Sequence, residues 1–335
     1  MLPIETTPTE LRSEGLPFAS GGYIGVDCNF YGAKKKRGLD NLVENGFKLI
    51  PFKKGESVAL QDDSNCLLAI RIGGPDDSMY FEDVEDMMQA VLEKGRTMKW
   101  EAKEKRHKRG SFPAVAQGIS YGKGQPEPMH MNDKRQGMME ELMSRSSVCR
   151  IAGYQSAAFA RWFPRHYQDL RHQNSQLKEK LPHLEPNFTN SIFSSMTVNF
   201  GPSTWTYIHT DAKNDITVPC AITSGGNYNW ELGGHLVLWD FKVILEFPPG
   251  ATILLPSALL CHSNIPVQAA ETCVSVTQYT AGGIQRRLEY GGRTADAFAS
   301  EDPDGYAKIF LNHNDVWKKS LAKFCTLDEL KSGQW

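Results

Sequence analysis

Between residues 192 and 279 seven short β-prone runs follow one another, and this most restricts what the chain can become. They are Ile192–Phe200, Thr204–His209, Thr217–Thr223, His235–Phe241, Val243–Phe247, Thr252–Leu255 and Thr272–Tyr279. Turn signals separate them, with Gly-Gly at 225–226 and 233–234 and Pro-Pro-Gly at 248–250. Short strands at regular spacing with such punctuation fit a closed or doubled sheet, of which the jelly roll is one form.

The flanks read differently. Met79 to Lys94 sets Val84, Met87, Met88, Val91 and Leu92 at helical spacing, with Gly95 as the expected C-terminal cap. Its methionines read as core. Asp40 to Glu44 reads as a short helix and Cys66 to Ile72 as a strand. Residues 110–131, rich in Gly and Pro, read as a long loop or an extended substrate-side segment. Met138 to Leu181 reads as helix interrupted at Pro164, and the tail sets Val316, Trp317, Leu321 and Phe324 on one face behind Asn314 as a cap. The expected class is α+β, a double-stranded β-helix core buttressed by N-terminal and C-terminal helices. The expected division is an irregular arm over 1–20, an α-rich part over 21–185, the core over 186–295 and C-terminal helices over 296–335.

Net charge is −2 over 335 residues, so no overall basic field points to nucleic acid or membrane. Any polyanion contact has to be local, and Lys34–Arg37 and Lys103–Arg109 are the basic runs that could make it. Met1 to Ser20 lacks the apolar stretch of a signal peptide, and no window has the composition of a membrane span. The seven cysteines are scattered and never spaced Cys-x-x-Cys. Reduced thiols in the nucleus or cytoplasm are therefore expected.

His209-Thr-Asp211 closes one predicted strand and His262 closes an apolar stretch further on. Side chains two apart on an extended segment point the same way. A second His from a distant strand completes a two-His, one-carboxylate face with open coordination positions, the arrangement suited to non-haem iron(II). The competing reading is a satisfied core histidine beside a chance His-x-Asp. Other histidines carry weaker signals: His235 at a strand rim, His107 in a charged run, and His166, His172 and His183 on a polar helix, all expected to be solvated.

From His209 to Tyr279 the sequence resembles the TET/JBP family of Fe(II)/2-oxoglutarate nucleobase dioxygenases, especially its fungal, transposon-associated branch. The family pattern His-x-Asp-x-x-Asn stands here as His209-Thr-Asp211-Ala-Lys-Asn214, and the distal ligand sits in Leu260-Cys-His262-Ser-Asn-Ile-Pro-Val. The resemblance implies iron(II), 2-oxoglutarate and O₂ at the site and methylated DNA as partner. It gives Asn214 and Tyr279 the roles of reading and stacking on a flipped methylated base. The following strand, Arg-x-Ser in the family, is Cys273-Val-Ser275 here. Ser275 matches, but a thiol replaces the arginine that grips the distal carboxylate of 2-oxoglutarate. Arg286, Arg287, Arg293 and Lys242 are the candidate replacements, Arg286 foremost. A second family residue, a His two positions after the Tyr, is Ala281 here. Two other readings stay open: an iron oxygenase acting on a small molecule or protein side chain, and a non-catalytic descendant that binds DNA or a partner.

Overall fold

The computed structural model describes residues 4–28, 32–122, 124–131 and 134–335, with only the backbone at 313 and 314. Its strands are β1 (Ile4–Pro8), β2 (Lys48–Ile50), β3 (Ser57–Gln61), β4 (Leu67–Ile72), β5 (Ala114–Ser120), β6 (Met129–His130), β7 (Ser195–Asn199), β8 (Cys220–Asn227), β9 (Leu236–Leu238), β10 (Val243–Leu245), β11 (Thr252–Leu255), β12 (His262–Asn264) and β13 (Thr272–Tyr279). They form a nine-stranded sheet in the order β1-β3-β4-β11-β8-β13-β7-β5-β6 and a four-stranded sheet in the order β12-β9-β10-β2. The class is α+β with a jelly-roll core.

Leu236, Leu238, Val243 and Leu245 of the small sheet share one buried cluster with Ile70, Ile253 and Leu255 of the large one. The two sheets are thus packed face to face, and apolar burial between them is the main cohesive force. The outer face of the large sheet is covered by helices. Met87, Met88 and Val91 from Ser78–Thr97 and Ile151 from Ser146–Trp162 pack on Val198, Val274 and Val276. Along β13 this alternation sends Val274 and Val276 to the helices and Cys273, Ser275 and Thr277 into the inter-sheet space.

Several expectations are corrected. Ile4–Pro8, expected to be irregular, pairs in parallel with β3. Of the two readings of the 110–131 segment, a loop or an extended segment, the extended one holds over Ala114–Ser120, which forms β5, paired antiparallel with β7. Its Gly118 has φ +126°, and a Cβ there would stand 2.3 Å from the Ser194 carbonyl oxygen. The glycine taken as a loop signal lets two strands approach. Thr204–His209 is not a ladder strand but makes isolated bridges, Thr206 with Gly110 and His209 with His262. Gly95 lies inside the helix Ser78–Thr97, whose cap is Met98. Pro164 does begin a new helix, Pro164–Lys180, at a position where its missing N–H costs nothing. The cap of the tail helix His313–Leu321 falls to Asn312, and a further helix, Leu327–Ser332, follows it; the Asn314 side chain lies outside the described residues.

The cysteine reading is also corrected. Cys28 and Cys261 form a disulfide across a sequence separation of 233, with Cα atoms 6.2 Å apart. The other five cysteines are free. Scattered positions concealed the pair because only the fold brings residue 28 against the segment that precedes His262. There the arm passes so close that a Cβ on Gly25 would lie 1.8 Å from the Ala258 carbonyl oxygen. No described helix is long and apolar enough to cross a membrane.

Candidate metal centre

His209 and His262 face each other across a narrow backbone bridge, each amide donating to the other's carbonyl at 3.0 and 2.9 Å. Their rings lie 4.3 Å apart between centroids. Asp211 is placed by its own amide, which donates to the Ser257 carbonyl at 2.8 Å. Asp211 Oδ1 is 3.8 Å from His209 Nε2, and Oδ2 is 3.9 Å from His262 Nε2. One ligand atom from each of the three residues lies within 4.8 Å of the other two.

The ring orientations fit a metal. His209 Nδ1 lies 2.8 Å from the Tyr207 carbonyl and His262 Nδ1 lies 2.9 Å from that of Leu260. A carbonyl can only accept, so Nδ1 carries the proton in each ring and Nε2 is left with its lone pair. Burial, joined by the neighbouring imidazole, pushes His209 down to about 3, so it is neutral. For Asp211 burial works upward, but the net direction is downward, led by the Arg109 guanidinium and aided by a hydrogen bond from the Ser257 side chain. Two imidazole Nε2 atoms and one carboxylate suit a divalent transition metal such as iron(II).

These groups open into a cavity between the sheets, lined further by Asn199, Thr204, Thr206, Asn264, Cys273, Ser275 and Thr277. Arg109 is the one Lys or Arg among the described residues lining it. Its Nη1 stands 3.5 Å from Asp211 Oδ1. It comes from the basic run 103–109, whose end is tied to the metal strand by Tyr207 N–H donating to the Arg109 carbonyl at 2.8 Å. A charged run carries no sign of which member turns inward, so Arg109 escaped the sequence reading.

Ser275 lines the cavity and accepts from Asn199 Nδ2 at 2.8 Å. Cys273 also lines it, a thiol raised to about 11 by burial, 3.4 Å from Thr204 Oγ1. None of the four replacement cations does. Arg287 donates to the Pro126 carbonyl, Arg293 lies over Phe298, Arg286 sits in the helix Gly282–Glu289, and Lys242 occupies the turn between β9 and β10. All four follow or flank the site in sequence, but the chain after β13 turns away into that helix. Asn214 is buried and donates to Ser257 Oγ at 3.1 Å, and the Tyr279 hydroxyl lies 3.5 Å from Thr197 Oγ1. Neither lines the cavity.

Two histidines expected to be solvated are interior. His235 and His166 are buried, His166 against Ser320 and Phe324 of the tail. His107 is half-buried, with Nε2 2.9 Å from the Phe112 carbonyl. His172 and His183 are exposed.

No family model and no curated protein sequence matches the chain. Among solved structures it is similar to NgTET1 in complex with 5mC DNA at 14% identity, covering 73% of this chain and 90% of that one with a TM-score of 0.46. An oxidoreductase of the 2OG-Fe(II) oxygenase family from Burkholderia pseudomallei shares 12% identity over 64% of this chain and 85% of its own, TM-score 0.33. The viral collagen prolyl hydroxylase of Paramecium bursaria Chlorella virus-1, in its 2OG complex, shares 12% over 63% and 95%, TM-score 0.30.

Proposed function

We propose that this chain is an Fe(II)/2-oxoglutarate-dependent dioxygenase that oxidises a methylated nucleobase of the 5-methylcytosine type in DNA. The observation that carries the reading is the convergence of His209, Asp211 and His262, with both Nε2 atoms free, on one inter-sheet cavity. Iron(II) held there supplies the oxidative decarboxylation of 2-oxoglutarate by O₂ and, coupled to it, oxidation of a C–H bond.

The chain's own part is to position and to exclude water. The Tyr207 and Leu260 carbonyls fix the imidazole tautomers, and Ser257 fixes the Asp211 backbone. Asn214, through Ser257 Oγ, braces that carboxylate from behind. Arg109 offers the cavity's positive charge to a carboxylate, where the family arginine is Cys273. A buried carboxylate without such a partner costs several kcal/mol. Ser275 and Asn199 offer further polar contacts on the opposite wall. A duplex base has to be turned out of the stack to bring its methyl group to this depth.

Cys273 favours a second reading, an iron oxygenase on another substrate or a binding module that has lost cosubstrate affinity. Succinate release by iron-loaded protein, with and without methylated duplex, decides between them. Release coupled to oxidised base supports the proposal. DNA-independent release supports another substrate, and metal binding without release supports the binding module.

A further inference from the structure

We propose that the run Lys34–Arg37, with the exposed Lys108 of the second basic run, forms a bracket gripping the phosphates of a nucleic-acid strand at the mouth of the metal cavity. The inference rests on the reading that the substrate is DNA and says where the strand is held.

The two runs are 70 residues apart in the chain, but adjacent residues of the segment entering His209 hold them. Ile208 N–H donates to the Ala33 carbonyl at 3.1 Å, and Tyr207 N–H donates to that of Arg109 at 2.8 Å. Between them lie the half-buried rings of Trp205 and Tyr207, edge to face at 5.0 Å. Lys36 Nζ stands 5.4 Å from the Trp205 ring centre, and the Arg37 guanidinium stands 5.1 Å from that of Trp239. Trp205, Trp239 and Lys35 line a shallow groove that shares Thr206 and Asn264 with the metal cavity. Thr206 Oγ1 donates to Asn264 Oδ1 at 2.6 Å, and this hydrogen-bonded pair borders both groove and cavity.

The charge balance at this edge is unlike that of the chain. Net charge is −2, yet among the described residues no carboxylate lies within ion-pair reach of Lys34, Lys35, Lys36 or Arg37. The neighbouring basic residues are answered differently: Lys103 pairs with Glu101, Lys108 with Asp27 at 2.6 Å, and Arg109 with Asp211. Four consecutive cations repel one another unless an anion lies across them. Lysines beside aromatic faces suit a nucleic-acid strand, whose phosphates answer the charge and whose bases stack. An anionic bilayer would need exposed apolar side chains to insert, whereas these tryptophans lie partly buried in a groove.

The test is anisotropy of labelled duplex and single-stranded DNA with the full iron-loaded chain over a salt series. Wild type is compared with the Lys34→Ala/Lys35→Ala/Lys36→Ala variant and with Lys34→Glu/Lys36→Glu. Melting temperature and iron affinity verify that each variant is folded. Loss of three phosphate contacts should weaken binding about tenfold or more and flatten the slope of log affinity against log salt by about 2–3. Equal affinity and slope in the variants would overturn the bracket, as would a wild type that binds no DNA or prefers phosphatidylserine vesicles. Base oxidation by wild type, measured separately, tests the underlying reading. Oxidation with unchanged variant affinity removes the bracket alone, and bracket-dependent binding without oxidation removes the enzymatic reading alone.

Discussion

Arg109 Nη1 lies 3.5 Å from Asp211 Oδ1 inside the cavity, with the two side chains 26% and 13% exposed. The pair sets the sole lysine or arginine of the described lining against the carboxylate of the triad. Removing it should affect cosubstrate before metal. Arg109→Gln is expected to weaken 2-oxoglutarate binding about 10- to 100-fold, matching the roughly 1.5–3 kcal/mol of a hydrogen bond to a charged group. Arg109→Lys should fall between, since an ammonium cannot reproduce the planar fork. Calorimetry on iron-loaded protein measures this, and wild-type affinity in Arg109→Gln would remove Arg109 from the account.

Cys273 offers the complementary experiment. Its side chain already points into the cavity beside Thr204 and Ser275. Cys273→Arg is expected to restore 2-oxoglutarate binding to the Arg109→Gln protein while changing the wild type much less. A double-mutant cycle reads this as coupling between the two positions. Additive effects would show that the two cations do not serve the same carboxylate.

The disulfide predicts a thiol count. Denatured, unreduced protein should titrate five thiols, and reduced protein all seven cysteines. Cys28→Ser should lower stability by about 2–4 kcal/mol, since the bridge closes a long loop. Cys261 adjoins His262, so the same variant should also weaken iron binding by loosening the arm that packs there. Seven titratable thiols before reduction would contradict the pairing.

His166 predicts acid sensitivity of the C-terminal helices. It is buried, 3.4 Å from Ser320 Oγ and 4.4 Å between ring centres from Phe324. Burial, with Lys323 nearby, pushes it down from 6.5 to about 3. A depressed folded pKa gives stability that is fully present above 6.5 and is lost as pH falls toward 3, on the order of several kcal/mol. Emission from the buried Trp317 should report the loss across that window. His166→Leu should flatten the profile; an unchanged profile would assign the acid transition to other groups.

The sequence displayed the triad because period-two alternation places His209 and Asp211 together and turn punctuation bounds the strands around them. It displayed the helix Ser78–Thr97 through apolar spacing, though not its end, because Gly95 is tucked against Phe200 rather than freed as a cap. Contacts between distant residues were not legible. Arg109 reaches the site through a bond to Tyr207, Cys28 pairs with Cys261, and β5 joins β7 across the helices between Gln136 and Lys180. The three-residue strand at His262–Asn264 is too short for periodicity to reveal. Burial of His166 depends on a tail helix that no local pattern connects to it.

Binding of ferrous iron under anaerobic conditions to the wild type, Asp211→Ala and His262→Ala is the most direct measurement. One equivalent bound by the wild type, with affinity reduced at least about 100-fold in either variant, is the expected result. Iron held as tightly by the variants as by the wild type would contradict a metal centre built from His209, Asp211 and His262.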